Sequence, residues 1–366
     1  MKAQSYLFIS LIALLAQAPS LAASNQTTSP TKSKAKIYKY EDSFLTDFKK
    51  PLTIGSYKFV PGLAKSYHVR SYQITKNGKV LDSDKCLQTG YDQKYGICLP
   101  YATTKRKKRT DLIAADGSSK LDPFNWSETV FGVYVWDGDK PPLPTPARLA
   151  PGTDVTGDGI PDLIVGYQPG GHYGYKATIY SLGPTFKKLL TIEGEDNPIF
   201  FKDVDGDGTF EILGADSTFN DWHFGYAGAA KPRVIQRIKN NKLVVATDLM
   251  KAPPPSKEWL EKEASKIKQE IEDAKAGSNL TDRAASTLAA DMLDCIYTGN
   301  EGSARKLLLM SFPANMKTTT TEWKSKSDFL NDLKKRLQES KYWPALKEMN
   351  EQTEGKPHRK VIDKGC

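Results

Sequence analysis

The chain has 366 residues, 39% of them hydrophobic, which is enough to bury a sizeable core in about two or three domains. Its net charge of +9 permits attraction to acidic glycans or anionic surfaces. The densest basic run, KRKKR at 105–109, has no aromatic residue among its charges to stack on bases, so no nucleic-acid partner is expected.

The first residues, MKAQSYLFISLIALLAQAPSLAAS, carry a charge at Lys2, an apolar run from Tyr6 to Ala16 and small residues at Ser20 and Ala22. The pattern reads as a secretory signal peptide over 1–22, because the run is too short to span a bilayer. No cysteine follows it, which argues against a lipid anchor, and no later segment is apolar enough to be transmembrane. The expected address is periplasmic or extracellular. Asn25, Asn125 and Asn279 stand in Asn-x-Ser/Thr sites, which matter only in a glycosylating host.

Residues 23–36 are polar and aperiodic and read as a flexible leader. From 37 to 147 the signal is β: KSYHVRSYQITKNGKVL and ETVFGVYVWDGD combine β-branched and aromatic residues with turn chemistry, and Asn77-Gly78 marks a hairpin. Cys86 and Cys98 flank a short loop, CLQTGYDQKYGIC, and are the easiest pair to join as a disulfide. Five prolines between Pro141 and Pro151 lead into the next unit, 148–250.

That unit contains DVTGDGIPDL at 154–163 and DVDGDGTFEI at 203–212. Oxygen donors fall at positions 1, 3, 5 and 9 of each: Asp154, Thr156, Asp158 and Asp162, then Asp203, Asp205, Asp207 and Glu211. Position 7, Ile160 or Thr209, offers its backbone carbonyl, and Gly159 or Gly208 sits where the chain turns around an ion. Hard oxygens at this spacing suit Ca²⁺, and the absence of histidine and cysteine argues against zinc. Position 12 is Val165 or Gly214, not the bidentate glutamate of an EF-hand, and the residues after position 9 have strand character. Two calcium sites are therefore expected, each in a loop that opens a strand. The second loop, with four carboxylates against three, should bind more tightly. An acidic turn that needs no ion is the alternative for either copy alone.

The duplication extends beyond the loops. His172-Tyr173-Gly174-Tyr175 matches His223-Phe224-Gly225-Tyr226, with Trp222 preceding the second copy. These residues form either an aromatic face for a sugar or peptide, or a packing corner inherited with the repeat, and the latter is the more usual fate of repeated residues.

The pattern D-x-[DTN]-G-D-G-x-x-[DE]-[LI] at 154–163 and 203–212 resembles the FG-GAP or VCBS-type repeat of integrin alpha-subunit propellers and many secreted bacterial proteins. The resemblance implies a calcium loop joining strands of a propeller blade. No third copy is visible, so the implied β part is a small or incomplete propeller, or an open sandwich fused to two blade-like repeats.

Pro253-Pro254-Pro255 makes 251–256 a stiff linker. Beyond it, over 257–366, the period changes. Leu260, Ala264, Ile267, Ile271 and Ala274 predict an amphipathic helix ended by Gly277. Ala285, Leu288, Met292 and Cys295 predict a second, closed by Gly299. Shorter helices follow over 301–311 and 327–338. Cys295 is either bonded to the terminal Cys366 or a buried thiol on an apolar helix face.

The whole reads as a mainly β protein followed by a small helical domain. No G-x-S-x-G, H-E-x-x-H, C-x-x-C, P-loop or dinucleotide motif is present. The favoured function is a non-catalytic calcium-binding recognition module for protein or glycan at or outside the cell envelope. One alternative is a secreted hydrolase or lyase acting on polysaccharide or ester, with Asp221, beside Trp222 and His223, as its candidate acid. Another is an envelope scaffold that docks a partner through the helical domain.

Overall fold

A computed structural model describes residues 45, 48–63, 69–86, 93–101, 148–169, 174–274, 280–312, 323 and 325–353. The expected signal and leader segments, the three Asn-x-Ser/Thr asparagines, the KRKKR run, ETVFGVYVWDGD, His172, Tyr173, Gly277 and Cys366 lie outside them.

The β part consists of three four-stranded antiparallel sheets, each built from strands consecutive in the chain. The first contains β1 (Leu52–Ile54), β2 (Tyr57–Leu63), β3 (Val69–Lys76) and β4 (Lys79–Lys85). The second contains β5 (Lys94–Ile97), β6 (Asp162–Gln168), β7 (Tyr175–Leu182) and β8 (Phe186–Glu195). The third contains β9 (Phe200–Lys202), β10 (Glu211–Ala215), β11 (Arg233–Lys239) and β12 (Lys242–Val245). No closed propeller occurs among the described residues.

Local chemistry explains the hairpins. Asn77 and Gly78 both take positive φ, as the expected two-residue turn requires, and Lys76 pairs with Lys79 across it. Asn240-Asn241 does the same between β11 and β12, because asparagine tolerates the left-handed region better than most residues.

The sheets stack through shared cores. Along β6 successive side chains alternate between faces. Leu163 and Val165 join Tyr57, Phe59, Tyr72 and Ile74 in a core shared with the first sheet. Ile164 joins Phe201 and Ile212 in a core shared with the third. The second sheet is therefore buried on both faces, which accounts for the unbroken apolar run LIV rather than a polar alternation.

This alternation also overturns the expected Cys86–Cys98 disulfide. Both are free thiols. Cys86 packs with the core between the first and second sheets, whereas Cys98, one residue past Ile97, points into the core on the opposite face. Closeness in sequence does not bring the sulfurs together, because a sheet lies between them. Burial raises the pKa of both thiols. Cys295 is likewise a free, buried thiol, pushed up to about 12 by burial, which is the second of its two expected fates.

After β12 a short helix, α1 (Thr247–Met250), leads through the prolines to α2 (Lys257–Ala274), α3 (Leu280–Tyr297), α4 (Glu301–Ser311), α5 (Lys326–Glu339) and α6 (Trp343–Thr353). Gly299 takes φ +79 just beyond α3, and Asn300 N–H donates to Cys295 O, closing the helix as expected. The sequence reading missed α6, although Leu346, Met349 and Asn350 bury one face of it. The helices pack together with Phe219, Trp222, Phe224, Val234 and Met250 of the preceding β unit in one continuous core.

A buried anion fastens this junction. The Asp216 carboxylate, just after β10, accepts hydrogen bonds from the hydroxyls of Tyr297 at the end of α3 and Ser340 between α5 and α6, and from Thr218 N–H. Asp216→Ala leaves two hydroxyls short of an acceptor and is expected to cost on the order of 3 kcal/mol in denaturant unfolding. A loss below about 0.5 kcal/mol would show that water replaces the carboxylate.

Asp291 on α3 is pushed up to about 7, first by burial and then by repulsion from Glu263. A carboxyl raised in this way favours the protonated folded state. Its stabilising contribution is full below the unfolded value and is lost as pH rises through about 7. Asp291→Asn is therefore expected to raise Tm at about pH 8 and leave it nearly unchanged at about pH 4. Equal effects at both would exclude titration as the cause.

Candidate metal centre

The two acidic loops fold alike, down to their hydrogen bonds. Position 1 closes each turn: Asp154 accepts from Gly157 and Gly159 N–H, and Asp203 accepts from Gly206 and Gly208 N–H. Position 5 caps position 7: Asp158 accepts from Ile160 N–H at 2.9 Å, and Asp207 accepts from Thr209 N–H at 2.7 Å. Gly157, Gly159, Gly206 and Gly208 all take positive φ, which wraps the backbone around its own carboxylates.

Position 9 opens a strand in both copies, as expected. Asp162 begins β6 and Glu211 begins β10. Each reaches back to the loop start: Asp162 Oδ2 accepts from Val155 N–H at 2.9 Å, and Glu211 Oε2 accepts from Val204 N–H at 2.8 Å. Both carboxylates are buried. The loops also lie side by side. Phe210 N–H donates to Val155 O at 3.0 Å, and a Cβ added to Gly157 would stand 3.0 Å from Thr209 Cγ2.

The copies differ in what faces the position-9 carboxylate. Asp162 is 2% exposed, yet its Oδ1 has no hydrogen-bond partner among the described residues. Its carboxyl is pushed up to about 6, chiefly by burial, against the lowering effect of the Val155 and Thr156 N–H groups. A buried carboxylate with one oxygen unmatched fits a hard cation. In the second loop the guanidinium of Arg237 donates to Glu211 Oε1 at 3.1 Å and to Asp205 Oδ2 at 2.8 Å. It also donates to both carboxylate oxygens of Asp248 on α1, at 2.7 and 2.9 Å. Glu211 is raised by burial and by Asp205, and lowered by Val204 N–H and Arg237.

These two signs point to different loops. Asp203, Asp205 and Glu211 bring one oxygen each within 4.8 Å of one another, the one such group of three among the described residues. Two of these three carboxylates, Asp205 and Glu211, already meet a cation in Arg237. The unmatched oxygen of Asp162 is the stronger indication of an ion-binding position, because no side chain among the described residues meets it.

In the second copy of the duplicated aromatic segment, Trp222, His223 and Phe224 face the helices, whereas Tyr226 and the first copy's Tyr175 contact the β part. Trp222 and Phe224 are buried against Trp323, at centroid distances of 5.9 and 6.2 Å, and Trp222 also meets Phe329 on α5 at 6.3 Å. His223 Nε2 lies 2.5 Å from Asp332 on α5, whose carboxylate also accepts from Trp323 Nε1–H at 3.0 Å. Tyr226 donates to Asp196 O and lies under the Lys231 ammonium. Tyr175 begins β7 and packs against the core between the second and third sheets. Asp221, the candidate acid, is exposed in a left-handed turn.

A model of the FG-GAP repeat matches residues 145–182, which include the first acidic loop, β6 and β7. No curated protein and no solved structure matches the chain.

Sequence reasoning passed over Arg237 and Asp216. No pattern along the chain marks either, and strand register alone singles out Arg237. The ladder pairs Asp162 with Ser181, and Ile212 with Gln236, so Ser181 and Arg237 hold corresponding places opposite position 9.

Trp222→Ala is expected to cost about 3–5 kcal/mol in urea unfolding, as for other buried aromatic residues, and to loosen the helical segment. Unchanged stability would exclude the packing role of Trp222.

Proposed function

We propose that this chain is an exported calcium-binding β-repeat protein that recognises a protein or glycan without chemical turnover. The observation that carries the reading is the buried Asp162 carboxylate, which lies within an FG-GAP match and has one unmatched oxygen. Asp154, Asp158, Asp162 and the Ile160 carbonyl would hold the ion, with Thr156 as a neutral donor. The ion would supply positive charge that holds the carboxylates together, and the chemistry asked of it is structural.

The finer architecture follows from the same reading. Each four-stranded meander is blade-like, and the three stack as a small, open propeller-like series. Among the described residues no helix is long and apolar enough to cross a membrane, and the signal-like start supports export. The strand connections on the loop side are the surface offered to a partner, whereas Trp222 and Phe224 are committed to the interior.

Calcium at a hundredfold excess over its Kd should stabilise the chain by about 2–3 kcal/mol, and EDTA should reverse the gain. Asp162→Asn should abolish the response. Immobilised glycans and envelope proteins should retain the chain in calcium and release it in EDTA. Calcium-independent stability together with turnover of a polysaccharide or ester panel would replace this reading with the hydrolase.

A further inference from the structure

We infer that the second acidic loop carries its own cation, the guanidinium of Arg237, so that the chain binds a single calcium ion, at the first loop. The inference rests on the calcium reading above and reverses the ranking expected from counting carboxylates.

Three observations carry it. First, Arg237 makes charge-assisted hydrogen bonds to two of the four carboxylates that would bind an ion, at positions 3 and 9 of the second loop. A calcium ion would have to displace the guanidinium from both and leave it beside a dication. Second, the oxygens of Asp203, Asp205 and Glu211 converge in the second loop, where the cation is present, and no such group of three forms in the first. A nearby opposite charge offsets the repulsion between close carboxylates, and Arg237 supplies it to Asp205 and Glu211. Third, the first repeat has the neutral Ser181 across the ladder from position 9, and there one buried carboxylate oxygen has no partner. The repeats thus share a backbone design but differ in the source of positive charge.

The substitution adds a connection that an ion would not make. Arg237 also holds Asp248, on the first turn of helix after the β part, so the second acidic loop is tied to the start of the helical segment. A planar guanidinium with several fixed donors can serve three carboxylates at once; an ammonium cannot match that geometry.

Calcium titration by calorimetry on the full chain tests this, with Tm as a second readout. Wild type is expected to take up one ion, Asp162→Asn none, and Arg237→Ser two. Arg237→Ser should also lose stability without calcium and regain it with calcium. If Arg237→Ser fails to fold under either condition, the wild-type stoichiometry and its loss in Asp162→Asn decide the matter. Two ions in wild type, with one remaining in Asp162→Asn, would overturn the Arg237 assignment and leave the calcium reading standing. No uptake by either wild type or a folded Arg237→Ser would remove the calcium reading itself.

Discussion

A buried carboxylate at the head of an inner strand is the constraint on which the rest of this structure depends. Asp162 and Glu211 each begin a strand and turn back to accept a backbone N–H from the start of the preceding loop. This bond holds the loop as a closed turn and sets where the strand enters its sheet. It also brings Val155 and Phe210, one from each loop, into the core between the second and third sheets. The cost is a negative charge removed from water, and such a charge requires a positive partner. The repeats meet that requirement differently, one with an arginine from the neighbouring strand and the other, on our reading, with an ion.

The stacking of the sheets follows from the same strands. With β6 and its neighbours apolar on both faces, the second sheet can only be an inner layer. The third sheet presents Val234 and the aromatic residues of its long connection to the helices. In a repeating stack of sheets that face would meet another sheet, and here it meets α2–α6. The helical tail thus ends the series. Asp216, Trp222 and the His223–Asp332 pair hold it in place, so Trp222 and His223, candidates for a ligand face, are occupied by an internal interface.

Much of this was legible in the sequence because it depends on near neighbours. Asn77-Gly78 makes its own turn, the glycines of both loops make theirs, and the period of three and four from Leu260 onward makes a helix. Rejection of an EF-hand held because position 9 starts a strand in both copies. The Cys86–Cys98 pairing failed for the opposite reason. A short loop brings two α-carbons near each other, but the face to which each side chain points is set by strand register, and Cys98 falls on the far side of the second sheet. The helix α6 was missed because only Leu346 and Met349, with the polar Asn350, mark its buried side.

The local units are written into the chain: the turns, the period of each segment, and two loops whose oxygens are spaced to surround a charge. Those features arise within about ten residues of chain, where backbone sterics and side-chain hydrogen bonds suffice. Only the tertiary structure decided which charge each loop meets. Arg237 comes from a strand well beyond the loop it serves, and Ser181 holds the corresponding place in the first repeat. The two loops look alike when read along the chain and differ electrostatically because ladder register, not sequence distance, places a guanidinium over one and leaves a buried oxygen unmatched in the other.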